Sequence, residues 1–469
     1  MFSFSSIRHY HNEINRGTTS CIQAVTHFLN TIESNRHLNA FVEVFAEEAL
    51  QRAKDLDKQE KKGRLHGVVI GIKDNICYKD HPVSAASKIL SGFTSLYSAT
   101  AVERMVSEGA IIIGRQNCDE FGMGSTNENS AFGPVLNPVD NSVVPGGSSG
   151  GSAASVRAGL CMASLGSDTG GSIRLPADFC GVTGYKPAYG RISRYGLIAY
   201  ASSFDQIGIL AQNVEDIITI LSVISGPDEY DSTALTTREE FSSAFRPNES
   251  SRIAYFPEWV NHKSVDPEIS KALFEKIQSL KDSGHVVEPV SFSLTDYIVP
   301  AYYVLTTAEA SSNLSRYDGV RFGKTQGDNY NLDTFYKSNR THGFGAEVKR
   351  RIMLGTFVLS SGYFEAYFKK AQQVRQLLKQ QTDLIFKDYD YILAPNSPTP
   401  AYAAGTLINE PLKMYLGDIF TVFANLTGIP SMSLPLFKHS SNLPFGLQVM
   451  GSPHNEVSLL RFTHHMMQQ

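Results

Sequence analysis

Three groups of residues have the types and spacing for acyl-transfer chemistry. The first is Lys73, in GIKDNI, directly after the apolar run 65–72 (LHGVVIGI). A lysine at a strand end commonly snorkels its ammonium to water. Held in an apolar setting instead, it gives up its proton more readily and becomes a base. The second is PGGSSGGS, residues 145–152. By composition this is a flexible linker. It runs, however, straight into the helical pattern SAASVRAGL, which puts a glycine-rich turn at a helix amino terminus, where backbone N–H groups face negative charge. The third is SLGSDTGGSIR, residues 164–174. Here the apolar run 161–165 ends in a tight turn and Ser172 opens a helix. The amides of Thr169, Gly170, Gly171 and Ser172 can then converge as an oxyanion hole. Eleven of the 37 glycines fall between residues 145 and 190, so this segment needs bare backbone.

Other readings of these residues fare worse. Gly146 to Gly150 satisfies G-x-S-x-G, which would make Ser148 the nucleophile of an α/β-hydrolase. That elbow needs a strand immediately before the serine, and NPVDNSVVPGG reads as loop. No glycine run ends in Gly-Lys-Ser/Thr, so a phosphate-binding loop is not expected. The thirteen histidines form no HExxH and no Cys/His quartet, so no metal site is expected.

The elements that must position these groups alternate. Strands are expected near 41–44, 65–72, 110–113, 252–256, 286–290, 391–394, 431–436 and 445–450. Helices are expected near 100–108, 214–225, 269–280, 296–316, 345–385 and 413–426, with a last one from Glu456. The near-continuous apolar strands are those of a sheet buried on both faces. The pattern predicts an α/β fold with a mixed, mostly parallel central sheet covered by helices on both faces. At roughly 100–200 residues per domain, 469 residues allow two to four domains. The motifs nevertheless span residues 73 to 418, and only the polar stretch 226–250 resembles a boundary, which favours one large domain over 1–469.

Composition removes several functions. With 42 Lys+Arg against 46 Asp+Glu, no basic surplus supports unaided nucleic-acid binding. Five cysteines, Cys21, Cys77, Cys118, Cys161 and Cys180, form no CxxC pair and read as reduced thiols in a cytoplasmic protein, an organellar home remaining open. No run of 18 apolar residues predicts a membrane span.

The segment GGSSGGSAASVRAGLCMASLGSDTGGSIRLPADFCGVTGYKP, with Lys73 upstream, resembles the amidase signature family. Its spacings fit, with 75 residues from Lys73 to Ser148 and 24 from Ser148 to Ser172. The resemblance implies the amidase-signature fold, with its core at about 65–215. It implies Ser172 as the acyl-forming nucleophile and Ser148, on a cis peptide, as the relay to Lys73. Val69, Leu175 and Ile209 depart from the family's common proline, glutamine and proline, and none is a triad member.

Within that family, residues 120–138, 308–323, 347–375 and 414–435 look like the glutamine-hydrolysing component of tRNA-dependent amidotransferases. This likeness implies helices at about 296–427 that form a glutamine pocket. Asp418 would face the α-ammonium and Arg351 the α-carboxylate, with Arg350 as the alternative to Arg351. Ser125 and one of Tyr302 and Tyr303, preferably Tyr303, would add contacts. It also implies a heterotrimer with the amidotransferase subunits B and C. The complex would convert misacylated Glu-tRNA(Gln) or Asp-tRNA(Asn), recognised mainly by the first of these two partners. No cofactor would be bound by this chain, ATP and Mg2+ being used by that same partner. The competing expectation is a stand-alone amidase acting on a small amide.

Overall fold

The computed structural model describes residues 2–60, 63–237, 239–241, 250–325, 331–407, 414–415 and 417–468. Eleven strands form one sheet. In chain order they are β1 (Phe41–Val44), β2 (Val69–Lys73), β3 (Ile111–Gln116), β4 (Ala163–Asp168), β5 (Thr183–Lys186) and β6 (Gln206–Ala211). Then come β7 (Arg252–Tyr255), β8 (Val286–Pro289), β9 (Tyr391–Pro395), β10 (Ser431–Lys438) and β11 (Pro444–Gly451). Across the sheet the order is β1-β3-β2-β4-β6-β5-β10-β11-β9-β7-β8.

The sheet is mixed, as the pattern predicts, with its parallel pairs in the two wings: β3–β2–β4 on one side and β9–β7–β8 on the other. The middle, from β4 to β9, is antiparallel throughout, as is the β1–β3 edge. By adjacent pairs the antiparallel contacts therefore outnumber the parallel ones. The reason is local. The β10–β11 hairpin and the strands β5 and β6, which hydropathy alone does not announce, sit between the two parallel sets. The sheet also runs unbroken past the polar stretch 226–250, since β7 pairs with β9 and β8. Residues 238 and 242–249 of that stretch lie outside the described residues.

Two features of this topology build the site. Strands β2 and β4 are buried at every residue and lie side by side in parallel, with Ile72 opposite Leu165. Both therefore end at the same sheet edge, where Lys73 emerges beside Ser167 and Asp168. Strand β6 runs antiparallel to β4 with Gln206 opposite Asp168, so Asp205, just before it, reaches that edge from the other direction.

Several helices fall where the periodicity places them: Thr100–Ser107, Val214–Ile224, Pro267–Asp282 and Glu456–Met466. The expected helix over 296–316 is Thr295–Asn313 followed by a 3-10 turn to Arg316. The expected run over 345–385 is broken into Ala346–Val358, a π-turn at Phe364–Lys369 and Lys370–Asp388. The break falls at Ser360-Ser361-Gly362, where Gly362 takes φ +84° and so leaves helical geometry. Near 413–426 the described residues 414–415 are helical, turns follow from 417 and a regular helix runs over Val422–Thr427, while residues 413 and 416 lie outside the described residues. Helices at Ile7–Arg16 and Leu332–Gly343 were not expected. Each is started by a side-chain cap, from Ser6 and Asn331 respectively.

The helices pack on the sheet around two large buried clusters. The second gathers Phe256, Trp259, Phe292, Phe420 and Phe423 with the helices Thr295–Asn313, Ala346–Val358 and Lys370–Asp388. It forms the wall facing the sheet edge that carries Lys73. All five cysteines are buried and none forms a disulfide. No described helix is long and apolar enough to cross a membrane.

Candidate active site

Lys73 is fully buried at the end of β2, and three serine hydroxyls surround its ammonium group. Its Nζ lies 2.7 Å from Ser148 Oγ, 2.9 Å from Ser149 Oγ and 2.9 Å from Ser167 Oγ. The snorkelling alternative is thus excluded. Burial drives the lysine's proton affinity down, a shift that the nearby carboxyls of Asp119, Asp168 and Asp205 only partly oppose.

The three hydroxyls are not equivalent. Ser149 Oγ donates to the Ser167 carbonyl at 3.0 Å, so it can only accept from Lys73. Ser167 Oγ accepts from Asn75 Nδ2 at 2.9 Å as well as from Lys73. Ser148 Oγ is the nearest of the three to the lysine, and neither its proton nor that of Ser167 is committed to a carbonyl as the Ser149 proton is. The Gly147–Ser148 peptide is cis. No strand precedes it, as the elbow reading would need; the glycine turn leads instead into the helix Gly150–Arg157.

The turn after β4 is held by a network that spacing alone does not reveal. Asp168 and Arg174, both fully buried, pair at 3.0 Å. Burial raises the Asp168 carboxyl, but Arg174 beside it overrides this and holds it at about 2. Arg174 also donates to the Thr421 carbonyl at 2.8 Å, to Asn425 Oδ1 at 2.7 Å and to Gln448 Oε1 at 3.0 Å. Asp168 in turn accepts the backbone N–H groups of Gly171 at 2.9 Å and Ile173 at 3.1 Å.

That last contact corrects the expected oxyanion hole. The Gly171 amide is committed to Asp168 and cannot serve a substrate oxygen. The amides of Thr169, Gly170 and Ser172 donate to no partner among the described residues. Gly170 and Gly171 are needed for space: a Cβ on Gly170 would lie 2.3 Å from Tyr302 OH, and one on Gly171 2.3 Å from Thr421 Oγ1. Gly171 also has φ +126°, a conformation that favours glycine. Ser172 stands just ahead of the helix Arg174–Cys180, and its carbonyl accepts the Ser149 amide at 3.2 Å, which ties the two serine turns together.

The four pocket residues expected from the likeness meet beside this turn. Asp418, buried, accepts from Ser125 Oγ at 3.0 Å and from Tyr303 OH at 2.7 Å. Burial pushes its carboxyl up to about 6, against the pull of Tyr303, Arg351 and Ser125. Arg351 is buried while the Arg350 side chain is 46% exposed, so Arg351 is the arginine that faces the pocket. Its guanidinium sits among the rings of Tyr200, Tyr303 and Tyr415 at 5.4–5.6 Å and donates to Tyr200 OH at 2.9 Å. Tyr303 reaches Asp418, whereas Tyr302 packs on Gly170. Both tyrosines line the site. Leu416, two residues before Asp418, lies outside the described residues.

Sequence reasoning missed the supporting residues Ser149, Ser167, Asn75, Asp168, Arg174, Tyr200 and Glu347. Glu347 accepts from Arg351 Nε at 2.9 Å and from Tyr415 OH at 2.9 Å, and also pairs with Arg350. A carboxylate four residues before Arg351 on one helix was the available signal. Among the described residues no three His, Cys, Asp or Glu side chains are grouped to hold a metal ion.

A family model described as Amidase matches residues 23–460. The chain is 47% identical over 468 residues to the A subunit of glutamyl-tRNA(Gln) amidotransferase of Chlorobium phaeobacteroides (strain BS1), covering 97% of each chain. It is 48% identical over 454 residues to the protein of that name from Chlorobaculum parvum (strain DSM 263 / NCIMB 8327), covering 94% of this chain and 93% of the other. The crystal structure of the same amidotransferase component from Thermotoga maritima superposes with a TM-score of 0.79 at 39% identity, over 97% of this chain and 93% of that one. A family match reaching from residue 23 to residue 460 leaves no large part of the chain outside it, and the chain belongs to the amidase signature family.

Proposed function

We propose that this chain is the glutaminase subunit of a tRNA-dependent amidotransferase: it hydrolyses glutamine through a Ser172 ester and supplies ammonia for converting Glu-tRNA(Gln), or Asp-tRNA(Asn), to the amide. The observation that carries this reading is a buried carboxylate, Asp418, and a buried guanidinium, Arg351, joined through Tyr303 beside the Ser172 turn. A pocket with both charges fits a substrate with both an α-ammonium and an α-carboxylate, and a simple amide has neither.

In the first half-reaction Ser172 Oγ attacks the γ-carboxamide carbon. Its proton passes to Ser148, whose own proton moves to neutral Lys73. The oxygen that gains the charge is received by the amides of Thr169, Gly170 and Ser172, with the Asp168–Arg174 pair keeping the turn rigid. Collapse breaks the C–N bond, and the proton returns from Lys73 through Ser148 to the leaving nitrogen. In the second half-reaction water attacks the γ-glutamyl ester by the same relay and frees glutamate and Ser172. Glutamine and water become glutamate and ammonia.

This chemistry calls for no cofactor on this chain. The amidotransferase subunits B and C would complete a cytoplasmic heterotrimer. The first of them would use ATP and Mg2+ and take most of the tRNA contact. The neutral charge balance of this chain supports that division. Residues 1–469 would act as one domain.

The test is Ser172→Ala in the assembled complex. Glutamine-dependent amidation should fall to background, while amidation fed by ammonium chloride continues. Persistent glutamine-dependent turnover would remove Ser172 as the nucleophile.

A further inference from the structure

Asp205, just before β6, is a buried carboxylate that the acyl-transfer steps above do not use. Three neutral donors hold it. Its Oδ1 accepts the Thr169 hydroxyl at 2.6 Å, and its Oδ2 accepts the backbone N–H groups of Tyr200 at 2.9 Å and Ala201 at 3.0 Å. Burial pushes the carboxyl up to about 6, against the pull of these donors and of Arg194. A carboxylate in such a place carries a desolvation penalty that a neutral turn-former would avoid.

The two sets of donors belong to different parts of the site. Thr169 opens the turn after β4, whose free amides face the reacting oxygen. Tyr200 belongs to the arginine that would hold the substrate carboxylate: its hydroxyl accepts from Arg351 at 2.9 Å, and the guanidinium lies 5.6 Å from its ring. The Tyr200 carbonyl accepts from Asn313 Nδ2 at 3.2 Å, so the backbone there is fixed from behind. Arg351, Tyr200, Asp205 and Thr169 thus form one line of buried contacts from the carboxylate clamp to the oxyanion hole. The other holds on the turn lead elsewhere: the Gly171 amide is on Asp168, and the Gly170 carbonyl accepts from Thr421 Oγ1 at 2.7 Å.

We infer that Asp205 is a positioning residue that sets the Thr169 amide relative to Arg351, so that seating the α-carboxylate brings the γ-carboxamide oxygen into register with the oxyanion hole. It touches neither the substrate nor the reacting atoms. A misplacement of about 1 Å at such a centre can cost on the order of a hundredfold in rate. The binding energy of the remote carboxylate is then realised in the transition state and appears in kcat. The inference rests on the function proposed above.

The test uses the assembled complex with glutamine and with 4-aminobutyramide, which keeps the amide and the amino group but lacks the α-carboxylate. Thr169→Val removes the hydroxyl that Asp205 holds and keeps the branched shape and the backbone amide. Its kcat for glutamine should fall at least about tenfold, with KM within about threefold of the wild type. For 4-aminobutyramide the two kcat values should lie within about threefold of each other, because the clamp that the line of contacts serves is empty. Thr169→Ser restores the hydroxyl and should recover most of the lost kcat. Unchanged near-UV circular dichroism checks that both variants fold. Asp205→Ala should show the same split between kcat and KM. It also strips the Tyr200 and Ala201 amides of their acceptor and should unfold at lower urea, so Thr169→Val decides.

A wild-type kcat for glutamine in Thr169→Val would overturn the inference. So would an equal fall on the two substrates, which would make the contact a general support of the turn. A rise in KM alone would overturn it too, confining Asp205 to the clamp. Each of these leaves the glutaminase reading standing, provided that the wild-type complex hydrolyses glutamine. A wild-type complex that does not would remove that reading and the inference with it.

Discussion

Replacing Asp418 with asparagine keeps the shape of the pocket and removes one charge. Asparagine can still meet Ser125 and Tyr303, which hold the carboxylate at 3.0 and 2.7 Å. What it loses is the pairing with a substrate ammonium at a position 92% shielded from solvent, Asp418 being 8% exposed. Truncating one partner of a buried, hydrogen-bonded charge pair costs about 2–5 kcal/mol. At about 1.4 kcal/mol per factor of ten, kcat/KM for glutamine should fall roughly thirtyfold to several-thousandfold. The assay compares glutamine with glutaric acid monoamide, which keeps the carboxylate and the amide but lacks the α-amino group. Asp418→Asn should act on both at similar, low efficiency, because the lost interaction serves only the amino group. The same group sets a pH signature. With its carboxyl pushed up to about 6, Asp418 becomes neutral as pH falls through that value. The KM for glutamine should then rise, and that for the monoamide should not. An equal fall on both substrates, or a fall in kcat at constant KM, would refute the assignment of Asp418 to the ammonium.

Two further outcomes concern the groups beneath the reacting serine. Because burial lowers the proton affinity of Lys73, kcat/KM should climb with pH along a limb centred below the ordinary lysine value, and Lys73→Arg should lose activity at every pH tested, since arginine stays charged. Asp168→Asn leaves Arg174 buried without its counterion and should cost about 3–5 kcal/mol in urea unfolding at neutral pH. The Asp168 carboxyl is depressed in the folded chain, so its stabilisation is complete above the ordinary aspartate value near 3.8. It is lost as pH falls toward about 2, and the variant should lack that limb.

How much of this was legible beforehand depends on the range of the interactions. Strands β2 and β4 could be read because they are short apolar runs buried on both faces, and their parallel pairing follows once both are placed in one sheet. Strand β5, four residues of TGYK, has no such signal; its partners β6 and β10 make it a strand. Similarly, the triad was legible because Ser148, Ser172 and Lys73 sit in unusual local sequence. Ser149 and Ser167 were in plain view within the same motifs, yet their roles depend on where the Lys73 ammonium points, which only the folded chain fixes. The loss of Gly171 from the oxyanion hole has the same origin: two polar groups three residues apart find each other when the turn closes. The broken helix over 345–385 is a different case. Gly362 marked the break, but the apolar periodicity continues across it.

The central claim is that glutamine is opened by an ester on Ser172. The most direct measurement is acid quenching of the complex during glutamine turnover, followed by peptide mass mapping. The account predicts a γ-glutamyl adduct on the peptide containing Ser172, absent from Ser172→Ala and removed by mild hydroxylamine. An adduct on Ser148 instead, or an adduct that survives in Ser172→Ala, would contradict it.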